Sequence, residues 1–145
     1  MMDKIDKKLL DILSRNARIH LKELAEEVFL SAPAVASRLE RLEAGGIITG
    51  YKANIDYSKL GFNITAFINL SMSPKNKAAF INYISKASNV IECYNVTGSF
   101  SMLLKAYFAN TSELDEFVMK LQKYGRTQTQ IVFSTIKQTE GIVYD

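Results

Sequence analysis

One short segment of the chain carries side chains whose types and spacing suit contact with DNA. The spacing of apolar residues predicts a helix over Ala32–Ala44. Val35, Leu39 and Leu42 fall on its buried side, which leaves small and basic side chains opposite, where they can meet base edges and phosphates. The candidate DNA contacts are Ser31, Ala34, Ser37, Arg38 and Arg41, together with Lys52 on the segment that follows.

A second helix is needed to hold this one in place. Residues 21–28 are predicted to form it, because their apolar side chains recur at i, i+3, i+4 and i+7. Three turn residues follow, of which Ser31 stands where an N-cap belongs. Pro33 falls in the first turn of the next helix, where its missing N–H costs little. Such a pair is a helix-turn-helix, and its second helix can enter a DNA major groove.

A third helix and a linker complete the predicted first domain. Residues 3–14 place four apolar side chains on one helical face, which can pack against the other two helices. Gly45 and Gly46 supply the C-terminal cap of the recognition helix. Residues 47–56 are predicted to be extended, either as a wing strand or as a tether. We expect a DNA-binding domain over residues 1–56 and a second domain over residues 57–145.

The second half of the chain predicts strands and helices in the order β-α-β-β-α-β. Residues 62–72 alternate apolar and polar side chains, as a half-buried strand does. A helix begins at Pro74 and carries Phe80, Ile81, Ile84 and Ala87. Two strands, 90–97 and 102–108, flank a hairpin turn at residues 98–101. A second helix, a strand over 129–136 and an extended tail over 137–145 complete a ferredoxin-like domain. The predicted fold class is α+β, with an N-terminal three-helix, winged-type helix-turn-helix.

Apolar side chains occur at both odd and even positions of the predicted strands, and so on both faces of the sheet, which suggests a partner for the sheet. Right-handed crossovers place both helices on one face of the sheet. The other face also carries apolar residues, since Leu103 stands beside Leu104 and Tyr107 beside Phe108. A second copy of the chain is the simplest cover for such a face.

Composition excludes several classes of protein. The net charge is +3, and residues 1–56 hold nine basic and nine acidic side chains, so DNA affinity must come from local placement. One cysteine and one histidine support neither a disulfide framework nor a metal site, and no cofactor is expected. Cys93 alternates inward with Ile91, which predicts a small core residue. No catalytic motif, signal peptide or apolar span long enough for a membrane is present, which favours a cytoplasmic protein that is not an enzyme.

Several segments together carry a resemblance that covers nearly the whole chain. They are MDKIDKKLLDIL, NAR, ELAEEV, RLERLEAGGIITGY, NVTGSFSMLLKAY and TQTQIVFSTIK, in this order and spacing. With them the chain resembles the leucine-responsive, or feast/famine, family of transcription regulators, called Lrp/AsnC. The resemblance implies a helix-turn-helix joined to a ferredoxin-like domain, dimers that assemble through the sheet, and tetramers or octamers. It also implies an amino-acid effector bound between dimers.

The resemblance places the effector site at a hairpin and at the strand beside it. The candidate effector contacts are Gly98, Ser99, Phe100 and Ser101, followed by Thr127, Gln128 and Thr129. The family usually has acids where this chain has Ser99 and Ser101, and those acids help to hold an ammonium group. The effector therefore differs, or binds weakly, or is absent. Two further departures are Phe29, where a glycine is common, and His20, where a serine-type cap is common.

The favoured function is a sequence-specific, oligomeric DNA-binding transcription regulator, modulated by an amino acid or a related metabolite. Its expected partners are double-stranded DNA, further copies of the chain and that effector, with no membrane. The alternative is an architectural DNA-wrapping protein that uses the same helices without an effector. A metabolite-binding oligomer with an idle DNA-binding half is a third interpretation.

Overall fold

The computed structural model describes residues 2–138 and forms two units. Contacts divide the chain between Asn54 and Ile55, and residues 136–138 group with the first unit. The boundaries 1–56 and 57–145 remain a prediction. Each unit is described by itself below.

Three helices build the first unit: α1 over Lys4–Arg15, α2 over Leu21–Val28 and α3 over Ala32–Ala44. All three helices were predicted from the sequence. α1 begins with a reciprocal cap, in which the Asp6 N–H donates to Asp3 Oδ1 at 2.8 Å and the Asp3 N–H donates to Asp6 Oδ2 at 3.1 Å. A buried cluster joins the helices and contains Leu9, Leu24, Ala25, Val28 and Val35.

The ends of α3 follow the predicted capping. The Ala34 N–H donates to Ser31 Oγ at 3.3 Å, which satisfies one of the free donors at the start of the helix. At the other end Gly46 has φ +70°, and the Ile47 N–H donates to the Leu42 carbonyl at 2.9 Å. No strand forms among residues 47–56, all of which the structure describes. This segment therefore pairs with no strand of the chain, as the tether alternative predicts.

The second unit has the predicted order of strands and helices. A short 3₁₀ turn, Tyr57–Leu60, lies at its start, before the first strand. The four strands are β1 over Ile64–Met72, β2 over Val90–Asn95, β3 over Met102–Phe108 and β4 over Gly125–Ile131. The helices are α4 over Lys77–Ile84, entered through a 3₁₀ turn at Pro74–Asn76, and α5 over Thr111–Leu121. The sheet is antiparallel in the order β2-β3-β1-β4, which confirms the ferredoxin-like arrangement.

One face of this sheet and the two helices enclose the core. Alternate residues of β1 and β3 are buried, and Phe80 of α4 and Phe117 of α5 cover them. The strand residues in this core are Ala66, Ile68, Leu70, Met102, Leu104, Ala106 and Phe108. Ile81, which the spacing placed among the buried residues of α4, is exposed. Ile81 directly follows the buried Phe80, so it lies about 100° around the helix from the buried side.

The last strand lies earlier in the chain than predicted. β4 covers Gly125–Ile131 rather than 129–136, and Phe133 is fully exposed. Polar side chains dominate the real strand, because it is an edge strand with exposed residues, so the apolar pattern pointed to the wrong segment. Gly125 allows the early start, since a Cβ there would lie 2.0 Å from the Ser71 carbonyl oxygen. Of the predicted tail, residues 137 and 138 form no strand, and 139–145 lie outside the described residues.

The strand at the opposite edge of the sheet is irregular. β2 ends at Asn95, and its pairing with β3 contains a bulge between Val90 and Glu92. The bulge shifts the alternation, so Cys93 pairs opposite Leu104 while Ile91 drops out of the register. Cys93 and Ile91 are both exposed. The prediction that Cys93 is a core residue is therefore wrong.

Candidate DNA interface and effector loop

The recognition helix α3 is tied to α1 by a network of ionic hydrogen bonds. Arg38 donates to Asp3 Oδ2 and to Asp6 Oδ1, both at 2.7 Å. Arg41 donates to both carboxylate oxygens of Asp6 at 3.0 Å. The Asp6 side chain is only 1% exposed, whereas Arg38 is 23% and Arg41 62% exposed. The buried carboxylate therefore anchors one arginine inside the unit and reaches a second at its surface.

The hydrogen bonds of the network keep its members charged. Burial alone would raise the pKa of Asp6, but the N–H of Asp3 and the guanidinium of Arg38 outweigh it and hold that pKa below 3.8. The N–H of Asp6 and then Arg38 likewise lower the pKa of Asp3. Hydrogen bonds to the two carboxylates raise the pKa of Arg38. At neutral pH the network is thus fully ionic.

The outward face of α3 differs from the predicted one at Arg38. This residue lies three positions after buried Val35 and four before buried Leu42, so it belongs to the packed side of the helix. The prediction that it faces outward is wrong, because the buried carboxylate of Asp6 pairs with its guanidinium on the packed side of the helix. The exposed side chains of α3 include Ser37 and Arg41, and they also include Glu40, which was not among the candidate DNA contacts.

The remaining predicted DNA contacts lie in the same unit. Ser31 is exposed and its hydroxyl caps α3, while Ala34 is half-buried in the first turn. Lys52 is exposed and lines a groove of about 540 Å³ between the end of α1 and residues 47–54. Next to it, Tyr51 Oη donates to Glu43 Oε1 at 2.7 Å. Burial and this carboxylate raise the pKa of Tyr51 to about 12.

The turn between α2 and α3 contains a bulky residue in a conformation typical of glycine. Phe29 has φ 57° and ψ 43°, and its side chain is 90% exposed. The Lys8 ammonium lies 5.5 Å from its ring centroid and donates to the Glu27 carbonyl. The turn thus keeps a left-handed conformation at Phe29 in place of glycine, and the ring is not packed in the core. At the start of α2, His20 makes no capping hydrogen bond.

A serine joins the hairpin loop of the second unit to β1 by hydrogen bonds. Gly98 has φ +106°, and the Val96 N–H donates to the Ser101 carbonyl at 2.9 Å. The Ser101 hydroxyl donates to the Leu70 carbonyl at 3.1 Å and accepts from the Met72 N–H at 3.3 Å. The backbone of β1 therefore engages this hydroxyl, while Ser99 is exposed and Phe100 is half-buried in the loop.

The other predicted effector residues lie on β4, across β1 from this loop. Phe100 is the link between the two parts, because the Arg126 guanidinium lies 5.3 Å from its ring centroid. Thr127 and Thr129 stand on the core side of the sheet and Gln128 on the opposite side. The pairs across the ladder are Leu70 with Thr127, Asn69 with Gln128 and Ile68 with Thr129. The seven residues thus gather at one region of the sheet, but they are divided between its two faces.

A larger groove of about 680 Å³ lies elsewhere in the second unit, between α4 and α5. Tyr83, Lys86, Glu116 and Lys120 are among its lining residues, and none of the seven predicted effector residues is. Within residues 2–138, no group of three or more histidine, cysteine or acidic side chains is placed to hold a metal. In the same part of the chain, no helix is long and apolar enough to cross a membrane.

Two family descriptions match the two halves of the chain. A sequence model described as "Lrp/AsnC ligand binding domain" matches residues 65–142. Another, described as "Winged helix-turn-helix DNA-binding", matches residues 2–49. The matches agree with the positions of the sheet unit and of the helical unit.

Known proteins of similar sequence and structure are transcriptional regulators by name. The HTH-type transcriptional regulator LrpA of Bacillus subtilis (strain 168) is 40% identical over 133 residues, which are 91% of this chain and 98% of that protein. A transcriptional regulator from Neisseria meningitidis, solved as an L-Met complex, has a TM-score of 0.92 at 29% identity and covers 98% of this chain and 96% of its own. A feast or famine regulatory protein from M. tuberculosis, solved with L-methionine, has a TM-score of 0.89 at 29% identity, with 99% and 100% covered.

Proposed function

The chain belongs to the Lrp/AsnC family of transcriptional regulators, and from that premise we propose which of its surfaces bind DNA, effector and further copies of the chain. It is a helix-turn-helix transcriptional regulator, as its relatives are, and not an enzyme. Architectural DNA wrapping is not favoured, since the relatives are named as regulators. We expect it to act in the cytoplasm, on double-stranded DNA.

The outward face of α3 is the proposed reading surface. The carrying observation is that Ser37 and Arg41 are exposed on a helix whose other side packs in the core. Serine can meet either type of base, and the partly free Arg41 can reach a guanine or a phosphate. Ser31 and Ala34 lie at the end of α3 that would enter the groove first. Arg38 has a different proposed role, which is to hold α3 against α1.

The hairpin loop and the start of β4 are the proposed effector site. Two solved relatives carry L-methionine, which supports an amino acid or a related metabolite as the ligand class. In this chain Ser99, Phe100 and Gln128 offer contacts, and Arg126 adds a positive charge beside the loop. A carboxylate is the part of such a ligand that Arg126 would attract. Gly98 permits the turn, and Thr127 and Thr129 would act from the core side of β4.

The sheet face opposite the helices is the proposed contact between copies. Phe67, Leu103 and Tyr107 lie on this face by their register and are half-buried, and Tyr94 is exposed beside them. The Tyr57 ring stacks on Tyr107 at 4.7 Å and covers part of the face. Apolar area of this kind favours a symmetric dimer, from which tetramers or octamers can be built.

Binding to a duplex from the upstream region of the protein's own gene tests the proposed function. The duplex is compared with a scrambled one by fluorescence anisotropy, with each of the twenty amino acids added in turn. A preference for the native duplex that shifts with one amino acid is the expected result. Equal, steeply salt-dependent binding to both duplexes, with no response, would overturn it and favour DNA wrapping.

A pair of variants tests the reading face directly. Ser37→Glu places a negative charge on the outward face of α3 and should weaken binding to the native duplex about tenfold or more, since one disfavoured contact costs about 1–3 kcal/mol. Ser112→Glu makes the same change on an exposed position of α5 and should leave the affinity unchanged. Equal effects of the two variants would remove α3 from the proposal.

A further inference from the structure

A groove in the first unit has a strongly one-sided charge. It is lined by the end of α1, the loop after it and residues 47–54, and its volume is about 540 Å³. Arg15, Arg18 and Lys52 are in its lining, and among the described lining residues there is no carboxylate. We propose that this groove holds a phosphate of the DNA backbone and anchors the protein beside the site that α3 reads. The inference rests on the proposed DNA binding.

Two of the three cations are free to bind an anion. Arg15 donates to Asp11 at 2.7 Å, in an exposed pair one helical turn apart. Arg18 and Lys52 are exposed and make no ion pair with any residue in the described part of the chain. Two unpaired positive charges that share one groove repel each other, and an anion between them would relieve that repulsion.

The polar atoms around these cations suit a phosphate better than a carboxylate. The groove also contains Asn16, Thr49 and Asn54, which offer amide and hydroxyl donors. A phosphodiester presents several acceptor oxygens at once, and a guanidinium fork matches that arrangement. A small apolar ligand would leave every one of these groups unsatisfied.

The recognition helix itself supplies little net positive charge for contacts with phosphates. Arg38 is bound by two carboxylates, and Arg41 shares the carboxylate of Asp6. Glu40 adds a negative charge to the exposed side of α3. Since most DNA affinity comes from contacts with phosphates, a helix so balanced in charge needs a cationic neighbour. The groove supplies one within the same unit.

Salt dependence of DNA binding tests the proposal. Arg18→Gln and Lys52→Gln, each in the full chain, are titrated onto the native and the scrambled duplex between about 0.05 and about 0.3 M NaCl. Each variant should lower the slope of log K against log salt by about 0.9, which is a loss of about eightfold in affinity at about 0.1 M salt. The loss should be equal for both duplexes, because a phosphate carries no sequence information.

Two control variants separate charge in the groove from charge elsewhere. Lys75→Gln removes an exposed lysine of the second unit and should leave the slope unchanged. Lys52→Arg keeps the charge and should keep the slope of the wild type. Slopes of Arg18→Gln and Lys52→Gln equal to that of Lys75→Gln would overturn the proposal. Calorimetry with inorganic phosphate gives a second test. If Arg18→Gln abolishes phosphate binding but the same variant still binds DNA as the wild type does, the groove serves a free anion and the proposal is overturned.

The same titrations distinguish failure of this inference from failure of the proposed function. A wild-type protein that binds both duplexes equally, with slopes lowered by Arg18→Gln, would refute sequence-specific regulation and support the groove. A wild-type protein that prefers the native duplex, with slopes unaffected by either groove variant, would support regulation and refute the groove.

Discussion

Removal of the buried carboxylate of Asp6 should destabilise the first unit and loosen α3. In Asp6→Ala the N–H of Asp3 and the guanidinium of Arg38 lose a partner, and an exposed pair with Arg41 is lost as well. A hydrogen bond to a charged group contributes about 1.5–3 kcal/mol, and solvent screens the pair with Arg41, so we expect a loss of about 2–3 kcal/mol.

Urea denaturation followed by circular dichroism measures this loss, and hydrogen exchange of α1 and α3 peptides assigns it to the first unit. Asp11→Ala is the matched control, because it removes a carboxylate of the same helix whose partner, Arg15, is exposed. That exposed pair should contribute only about 0.3–0.5 kcal/mol. Equal losses in the two variants would refute the inference that the network holds α3 in place.

The pH dependence of the same loss has a definite sign. The pKa values of Asp3 and Asp6 are lowered by folding, so the folded state binds fewer protons than the unfolded state in acid. The stabilisation is complete above about pH 5 and is lost as the pH falls below 3.8 towards the folded pKa values. The difference between wild type and Asp6→Ala should therefore shrink in acid. A difference that stays constant down to about pH 2, where ordinary carboxyl groups are protonated, would contradict it.

Three further outcomes follow from particular residues. Phe29→Gly should raise the free energy of unfolding by about 1 kcal/mol, because glycine adopts the left-handed backbone without strain and the exposed ring contributes little buried surface. A lowered thermal midpoint would contradict this. Gly125→Ala should destabilise the sheet by about 2 kcal/mol or more in urea, since its Cβ would lie 2.0 Å from the Ser71 carbonyl oxygen. Tyr51→Phe should remove a tyrosinate absorbance step near pH 12, and the stability that Tyr51 adds below pH 10.0 should disappear as the pH rises through that step. A step that survives in Tyr51→Phe would belong to another tyrosine.

Periodicity and capping predicted the helices well, because both depend on neighbours in the sequence. Ser31 and Gly46 mark the ends of α3 through a local hydrogen bond and a local backbone angle, which a single segment determines. The alternation along β1 and β3 was equally clear, since these central strands have one fully buried face.

The misplaced features depend on contacts between distant segments. Arg38 turns inward because Asp6, 32 residues earlier, is buried opposite it, and nothing in the spacing of α3 indicates that. Cys93 pairs opposite the buried Leu104 but is exposed because β2 lies at the edge of the sheet, and alternation does not show which strand is an edge. β4 carries polar residues because it lies at an edge, and only its pairing with β1 identifies it. The role of Ser101 in joining the hairpin to β1 is likewise a tertiary property.

The two edges of the sheet have a consequence for the behaviour of the protein at high concentration. Edge strands present unpaired N–H and C=O groups, and a flat, apolar edge recruits strands from other molecules into aggregates. Here one edge is bent by the bulge between Val90 and Glu92, and the other carries exposed Arg126, Gln128 and Gln130. Both edges therefore disfavour the uncontrolled growth of sheets, and in the proposed dimer self-association would be confined to the apolar face and would end in closed particles rather than fibres.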